Sequence, residues 1–132
     1  MADLPSSLSL TAVAIGGALG SVARYLVAIG AGRLVGAEFP WGTLVINIAG
    51  SFLIGVFAES FALIWSVSQT VRVFLTVGIC GGFTTFSTFS LDAIVLMQRG
   101  ELWAAASYIA ASVALSILAL FAGLLLVRAL VA

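Results

Sequence analysis

Gly81-Gly82-Phe83-Thr84-Thr85-Phe86-Ser87-Thr88-Phe89-Ser90 lies inside a segment that carries no charge from Val73 to Leu91, between Arg72 and Asp92. The gap of 19 residues is close to the roughly 20 that a membrane-crossing helix needs. A plain anchor would fill it with Leu, Ile and Val. This one places two glycines, five hydroxyls and three phenylalanines where the middle of a bilayer would fall. Polar groups in hydrocarbon are costly unless protein, water or a permeating species satisfies them. The centre of this segment is therefore where function is expected.

Working outward, the remaining charges punctuate the chain in the same way. Residues 4–23, 39–58 and 102–127 are also charge-free. The chain is 63% hydrophobic and only 8% charged over 132 residues, against roughly 25% charged in a soluble domain. These numbers predict an all-α integral membrane protein, a single transmembrane domain over residues 1–132. Its four helices fall at about 8–32, 41–65, 71–97 and 102–128. Trp41, Trp65 and Trp103 fall where interfacial anchors belong. Met1 to Thr11 has Asp3 and no basic residue, so it lacks the positive start of a secretory leader, and the first apolar segment is expected to be retained.

Five arginines balance five acids, with no lysine or histidine, which excludes a basic nucleic-acid surface. The lone Cys80 can form neither a disulfide framework nor a metal cluster within one chain. With four spans, Arg72 and Arg128 fall on one side and Arg33 and Arg99 on the other; Arg24 lies within the first span. The bias that fixes orientation is thus missing. Either a small chain has a weak signal, or copies insert both ways and pair antiparallel. Four helices enclose little space, so an oligomer is expected. Gly16 and Gly20 form a small-xxx-small pair suited to close helix contact.

Two polar stripes accompany the central cluster. Thr43, Asn47 and Ser51 in the second helix, and Tyr108, Ser112 and Ser116 in the fourth, are each spaced four apart and so share a face. Single hydroxyls can be helix–helix glue or bond their own backbone. Two aligned stripes plus the Thr/Ser/Phe cluster favour a lined pathway. Its donors are amide and hydroxyl hydrogens and the positive edges of Phe86 and Phe89. Those suit a small anion, whereas a cation path would call for carboxylates or carbonyl rings. Only Glu59 and Asp92 approach the spans, near their ends. Gly81-Gly82 followed by Thr84-Thr85 allows two readings: a helix break that frees carbonyls for a cation, or close crossing of neighbours.

Residues 81–90, GGFTTFSTFS, together with Gly42-Thr43-Leu44-Val45-Ile46-Asn47-Ile48-Ala49-Gly50 and Gly20-Ser21-Val22-Ala23-Arg24-Tyr25, resemble the signature of the Fluc (CrcB) fluoride channel family. Their order and spacing agree over nearly the whole chain. The resemblance implies a passive fluoride channel in the cell inner (plasma) membrane, an antiparallel dual-topology homodimer with two pores lined by both subunits. Phe86 and Phe89 would meet fluoride through ring edges, with Asn47, Ser87, Thr88, Tyr108, Ser112 and Ser116 along the track. Helix three would be broken near the midplane, with the Gly81 and Thr84 carbonyls on a structural sodium ion at the dimer axis. Arg24 would stand in the vestibule at the end of helix one. Phe83 stands where other members carry a different apolar residue.

Two rivals are separable. A small multidrug-resistance-type exporter needs a glutamate deep in helix one, where this chain has Arg24 and no acid beyond Asp3. A non-conducting assembly subunit would use every polar face as glue. An enzyme has no nucleophile–base pair to work with, since histidine is absent and the acids sit at span ends.

Overall fold

The computed structural model describes residues 3–132; Met1 and Ala2, the first two residues of the segment read for a secretory leader, lie outside it. Every regular element among the described residues is helical, and four stretches are long and apolar enough to cross a membrane: Ser7–Val35, Trp41–Leu63, Gln69–Gln98 and Leu102–Val131.

Local chemistry sets the ends. Helix α1 (Ser7–Val35) starts at Ser6, whose side chain accepts from the Ser9 amide at 3.1 Å. It stops at Gly36, where φ of 84° ends the run and the amide bonds back to the Gly32 carbonyl. Helix α2 (Trp41–Leu63) follows Pro40. Ser68 caps α3 (Gln69–Val73) through the Val71 amide. The chain then widens into a π-helical segment, Phe74–Cys80, and tightens again into one turn, α4 (Gly81–Phe83).

Gly81 and Gly82 are therefore helical, and the residues that leave the helix are the threonines after them. Thr84 (φ −82°, ψ 157°) and Thr85 (φ −152°, ψ 117°) are extended. Thr85 then caps α5 (Phe86–Gln98), its hydroxyl accepting from the Thr88 amide at 3.1 Å. Gly100, at φ 77°, turns the chain into α6 (Leu102–Val131).

Glycines bring backbones together at two crossings. On α1, Gly16 and Gly20 face the third span: a Cβ on Gly16 would lie 2.7 Å from the Phe74 carbonyl oxygen, and one on Gly20 would strike the Ile79 carbonyl. Gly82 meets α1 from the other side, its absent Cβ 2.5 Å from the Gly17 oxygen. Of the two readings of the glycine pair, close crossing accounts for Gly82. Helices α2 and α6 cross in the same manner, with Gly55 against Leu120 and Gly123 against Phe52. Small residues at such crossings let van der Waals contact replace the hydrophobic drive that lipid removes. Where α2, α5 and α6 meet, Leu44, Ala93, Leu96, Ala105 and Tyr108 form the buried core.

Candidate functional site

A groove of about 330 Å³ opens along α2, the Thr84–Thr85 interruption, α5 and α6. Its polar wall is Asn47 and Ser51 from α2, Thr84 and Thr85, and Ser112 and Ser116 from α6; Phe86 and Phe89 form the aromatic wall. Ile54, Val113, Ile117 and Leu120 complete it. No charged side chain contributes to its lining. One chain does not close the groove, and Phe86 stays 78% exposed.

The threonine interruption is held by side chains from two other helices. Asn47 pairs with both backbone groups of Thr85: its Oδ1 accepts from the Thr85 amide at 2.8 Å and its Nδ2 donates to the Thr85 carbonyl at 3.0 Å. Only one orientation of the amide satisfies both bonds, and it leaves one Nδ2 hydrogen uncommitted. In an unbroken helix the Thr85 amide would go to the Gly81 carbonyl, and the Thr88 amide to the Thr84 carbonyl. Both donors are diverted, the first to Asn47 and the second to the Thr85 hydroxyl. The Gly81 and Thr84 carbonyls are thereby left without their helical donors. Arg24 Nε donates to the Gly82 carbonyl at 3.1 Å.

On the far wall, the Ser112 and Ser116 hydroxyls are buried and have no hydrogen-bond partner. Ser112 is only 6% exposed. A buried hydroxyl left unpaired costs about 1–3 kcal/mol. Two of them, one turn apart on a single groove wall, can donate to a ligand in the groove.

The rings are supported from below. Phe86 and Phe89 have centroids 5.3 Å apart at 49°, and Phe89 lies 5.3 Å from Tyr108. Tyr108 is fully buried, edge-on to Phe39 at 5.6 Å, and its hydroxyl donates to Asp92 at 3.0 Å.

The structure thus gathers Asn47, Phe86, Phe89, Ser112 and Ser116, with Ser51, on one groove. Thr84 lines it too, whereas Thr43, Ser87, Thr88, Tyr108, Gly81 and Arg24 do not. Thr43 is buried away from the lining, and Tyr108 sits behind Phe89 with its hydroxyl occupied by Asp92. Thr88 bonds the Thr85 hydroxyl at 3.1 Å, and Ser87 lies 3.3 Å from that same oxygen. Arg24 contacts the third span's backbone rather than the groove. Sequence reasoning named Thr84-Thr85 as part of a possible helix break but not Thr85 as its hub. A hydroxyl three residues before the Thr88 amide was the available signal. It also passed over the part of Asp92 in anchoring Tyr108.

Comparison with known proteins adds an independent finding. Residues 11–124 match the family of CrcB-like protein, Camphor Resistance (CrcB). The chain is 64% identical over 121 residues to a protein of Nitrobacter hamburgensis named fluoride-specific ion channel FluC 1, covering 92% of this chain and 96% of that one. It is 62% identical over 119 residues to a fluoride-specific ion channel FluC of Nitrobacter winogradskyi, covering 90% and 94%. A protein of the same name from Rhodospirillum centenum is 52% identical over 123 residues, covering 93% and 98%.

Proposed function

The chain belongs to the CrcB family, and from that membership we propose that it is a fluoride-selective channel, passing fluoride outward across the cell inner membrane through two pores in an antiparallel homodimer. The observation that carries the reading is the pair of buried, unpartnered hydroxyls, Ser112 and Ser116, facing the edge-bearing rings of Phe86 and Phe89 across a groove without a charged side chain. The family is one of ion channels, and the chain is not an enzyme.

The physics follows from fluoride's size. A small, strongly hydrated anion enters a narrow track only if donors replace its water. The two serine hydroxyls, the spare Asn47 hydrogen and the positive ring edges offer those donors from opposite sides. Being neutral, they bind the ion without trapping it, as conduction requires. The groove lacks an embedded carboxylate, so nothing in it couples fluoride to protons.

A second copy supplies what one chain lacks. The groove is open along one side, and Phe86, a large ring beside a polar wall, is 78% exposed. The arginines, two on each side, allow copies in both orientations. A structural sodium ion suits the interruption, because the Gly81 and Thr84 carbonyls have lost their helical donors. Those two carbonyls from each copy would hold it, and it would add positive potential near the anion path. Ser87 and Thr88, at the start of α5, and Tyr108, behind Phe89, act on the track by fixing the rings.

Phe86→Ile tests the pore assignment. Isoleucine keeps an apolar side chain on the face that the second copy covers, so the variant is expected to run as the wild-type dimer on gel filtration. Fluoride flux should nonetheless fall at least ~100-fold, the effect of about 2.7 kcal/mol on the barrier. A variant that fails to dimerise, beside a stable wild-type dimer that carries no fluoride, would support the assembly-subunit reading.

Ser112→Ala separates a pore hydroxyl from packing. It removes an unpartnered buried group, so the fluoride-free protein should melt no lower than wild type, with a gain of up to about 1 kcal/mol. Flux should drop. A lower melting point with undiminished flux would mean that the hydroxyl is structural.

A further inference from the structure

Gly16, Gly20 and Arg24 are spaced four apart and form one stripe on α1. Gly16 and Gly20 meet the third span one turn apart, and Arg24 reaches the peptide that Gly20 also approaches. Gly16 faces Phe74 and Gly78, and Gly20 faces Ile79 and the Phe83 amide. Arg24 reaches Gly82. Gly20 therefore brings α1 close enough for the side chain that follows it on the same face to touch backbone.

In a continuous helix the Gly82 carbonyl would accept from the Phe86 amide. The extended dihedrals of Thr84 and Thr85 carry Phe86 away. Arg24 Nε stands in that place, 3.1 Å from the oxygen. We propose that Arg24 is a positioning residue, whose necessary atom is the Nε donor that caps α4 at the interruption, and that its positive charge is secondary.

The arrangement explains a selective outcome along the chain. Of the carbonyls that lose their helical donors, Gly82's is occupied by Arg24, while those of Gly81, Phe83 and Thr84 are left without one. Arg24 from α1 and Asn47 from α2 thus clamp the two sides of the interruption, one at Gly82 and one at Thr85.

Glutamine and lysine separate donor from charge. Glutamine Nε2 lies the same number of bonds from Cα as arginine Nε, and it is neutral. Lysine keeps the charge but carries its nitrogen one bond further out. Purified dimers of wild type, Arg24→Gln and Arg24→Lys would be compared by amide hydrogen exchange over residues 82–88 and by fluoride efflux from liposomes. Arg24→Gln is expected to protect the Thr84 and Thr85 amides as wild type does and to keep at least about half of the flux; Arg24→Lys should exchange faster there and lose ~10-fold in flux.

The opposite order, or equal behaviour of the two variants, overturns the proposal. The flux arm rests on the channel reading. Should wild type carry no fluoride, that reading fails, and amide exchange alone still decides whether the Nε donor caps the helix.

Discussion

Asn47→Ala is expected to abolish fluoride flux by releasing the interruption in the third span. The substitution strips partners from the Thr85 amide and the Thr85 carbonyl at once. Each orphaned group costs about 1–3 kcal/mol, so the local arrangement loses about 2–6 kcal/mol. Thr85 also caps α5, and α5 begins with Phe86. When Thr85 moves, the rings of Phe86 and Phe89 move with it, and a one-ångström displacement of binding groups is enough for a ~100-fold effect. Flux normalised to reconstituted dimer should fall by at least that factor, and the Thr85 amide should exchange with solvent. Asn47→Asp is instructive beside it. The aspartate still accepts from the Thr85 amide but sets a carboxylate oxygen against the Thr85 carbonyl, so it should restore neither flux nor protection. Loss of flux with the Thr85 amide fully protected would confine Asn47 to direct contact with the ion.

Gly20→Val should prevent the chain from folding to a stable dimer. The first added carbon already meets the Ile79 carbonyl and lies 2.8 Å from the Phe83 amide nitrogen and 3.1 Å from the Gly82 carbonyl carbon. All three are backbone atoms, so no side chain can turn aside. Overpacking typically costs 1–3 kcal/mol, and a rigid backbone target puts this case at about 3 kcal/mol or more. The same shift pulls Arg24 off Gly82. Gly30→Ala serves as the control, since no neighbour lies within 4 Å of its added carbon. Gel filtration and thermal melting in detergent compare the two. A Gly20→Val dimer that melts with wild type would show that α1 and the third span are not held in backbone contact.

The four crossings were legible because charge is so sparse. Arg33, Glu38, Glu59, Arg72, Asp92, Arg99, Glu101 and Arg128 fall near the ends of the apolar stretches, and hydropathy needs no tertiary information. The polar stripe of α6 was legible for a similar reason: a four-residue spacing fixes a shared face, and Ser112 and Ser116 do face one groove. Spacing does not reveal depth. Tyr108 continues the same stripe yet lies behind Phe89, because an aromatic ring beside Leu44 and Leu96 is worth more buried and its hydroxyl has Asp92 to receive it.

What stayed hidden is where a side chain spends its hydrogen bonds. Asn47 was readable as a donor in the membrane, but its commitment to both backbone groups of Thr85 depends on a neighbour 38 positions away. Arg24 was read through its charge, while the structure engages its Nε with a carbonyl 58 positions away. The sequence allowed the glycine pair and the threonines to share one helix break, and the structure divides them. Gly82 is small because α1 passes over it, and Thr84 and Thr85 leave the helix with Asn47 bound to the backbone of the second. The π-helical segment over Phe74–Cys80 has no mark in composition; it lies against α1 at Gly16 and Gly20, where backbone contact replaces side-chain packing.

Fluoride efflux from proteoliposomes loaded with equal fluoride and chloride, followed by electrodes for each ion, is the most direct measurement. Rapid release of fluoride with chloride retained is expected for the wild-type protein, without any added nucleotide or proton gradient. A stable dimer that releases neither ion, or both alike, would contradict selective conduction along the groove of Phe86, Phe89, Ser112 and Ser116.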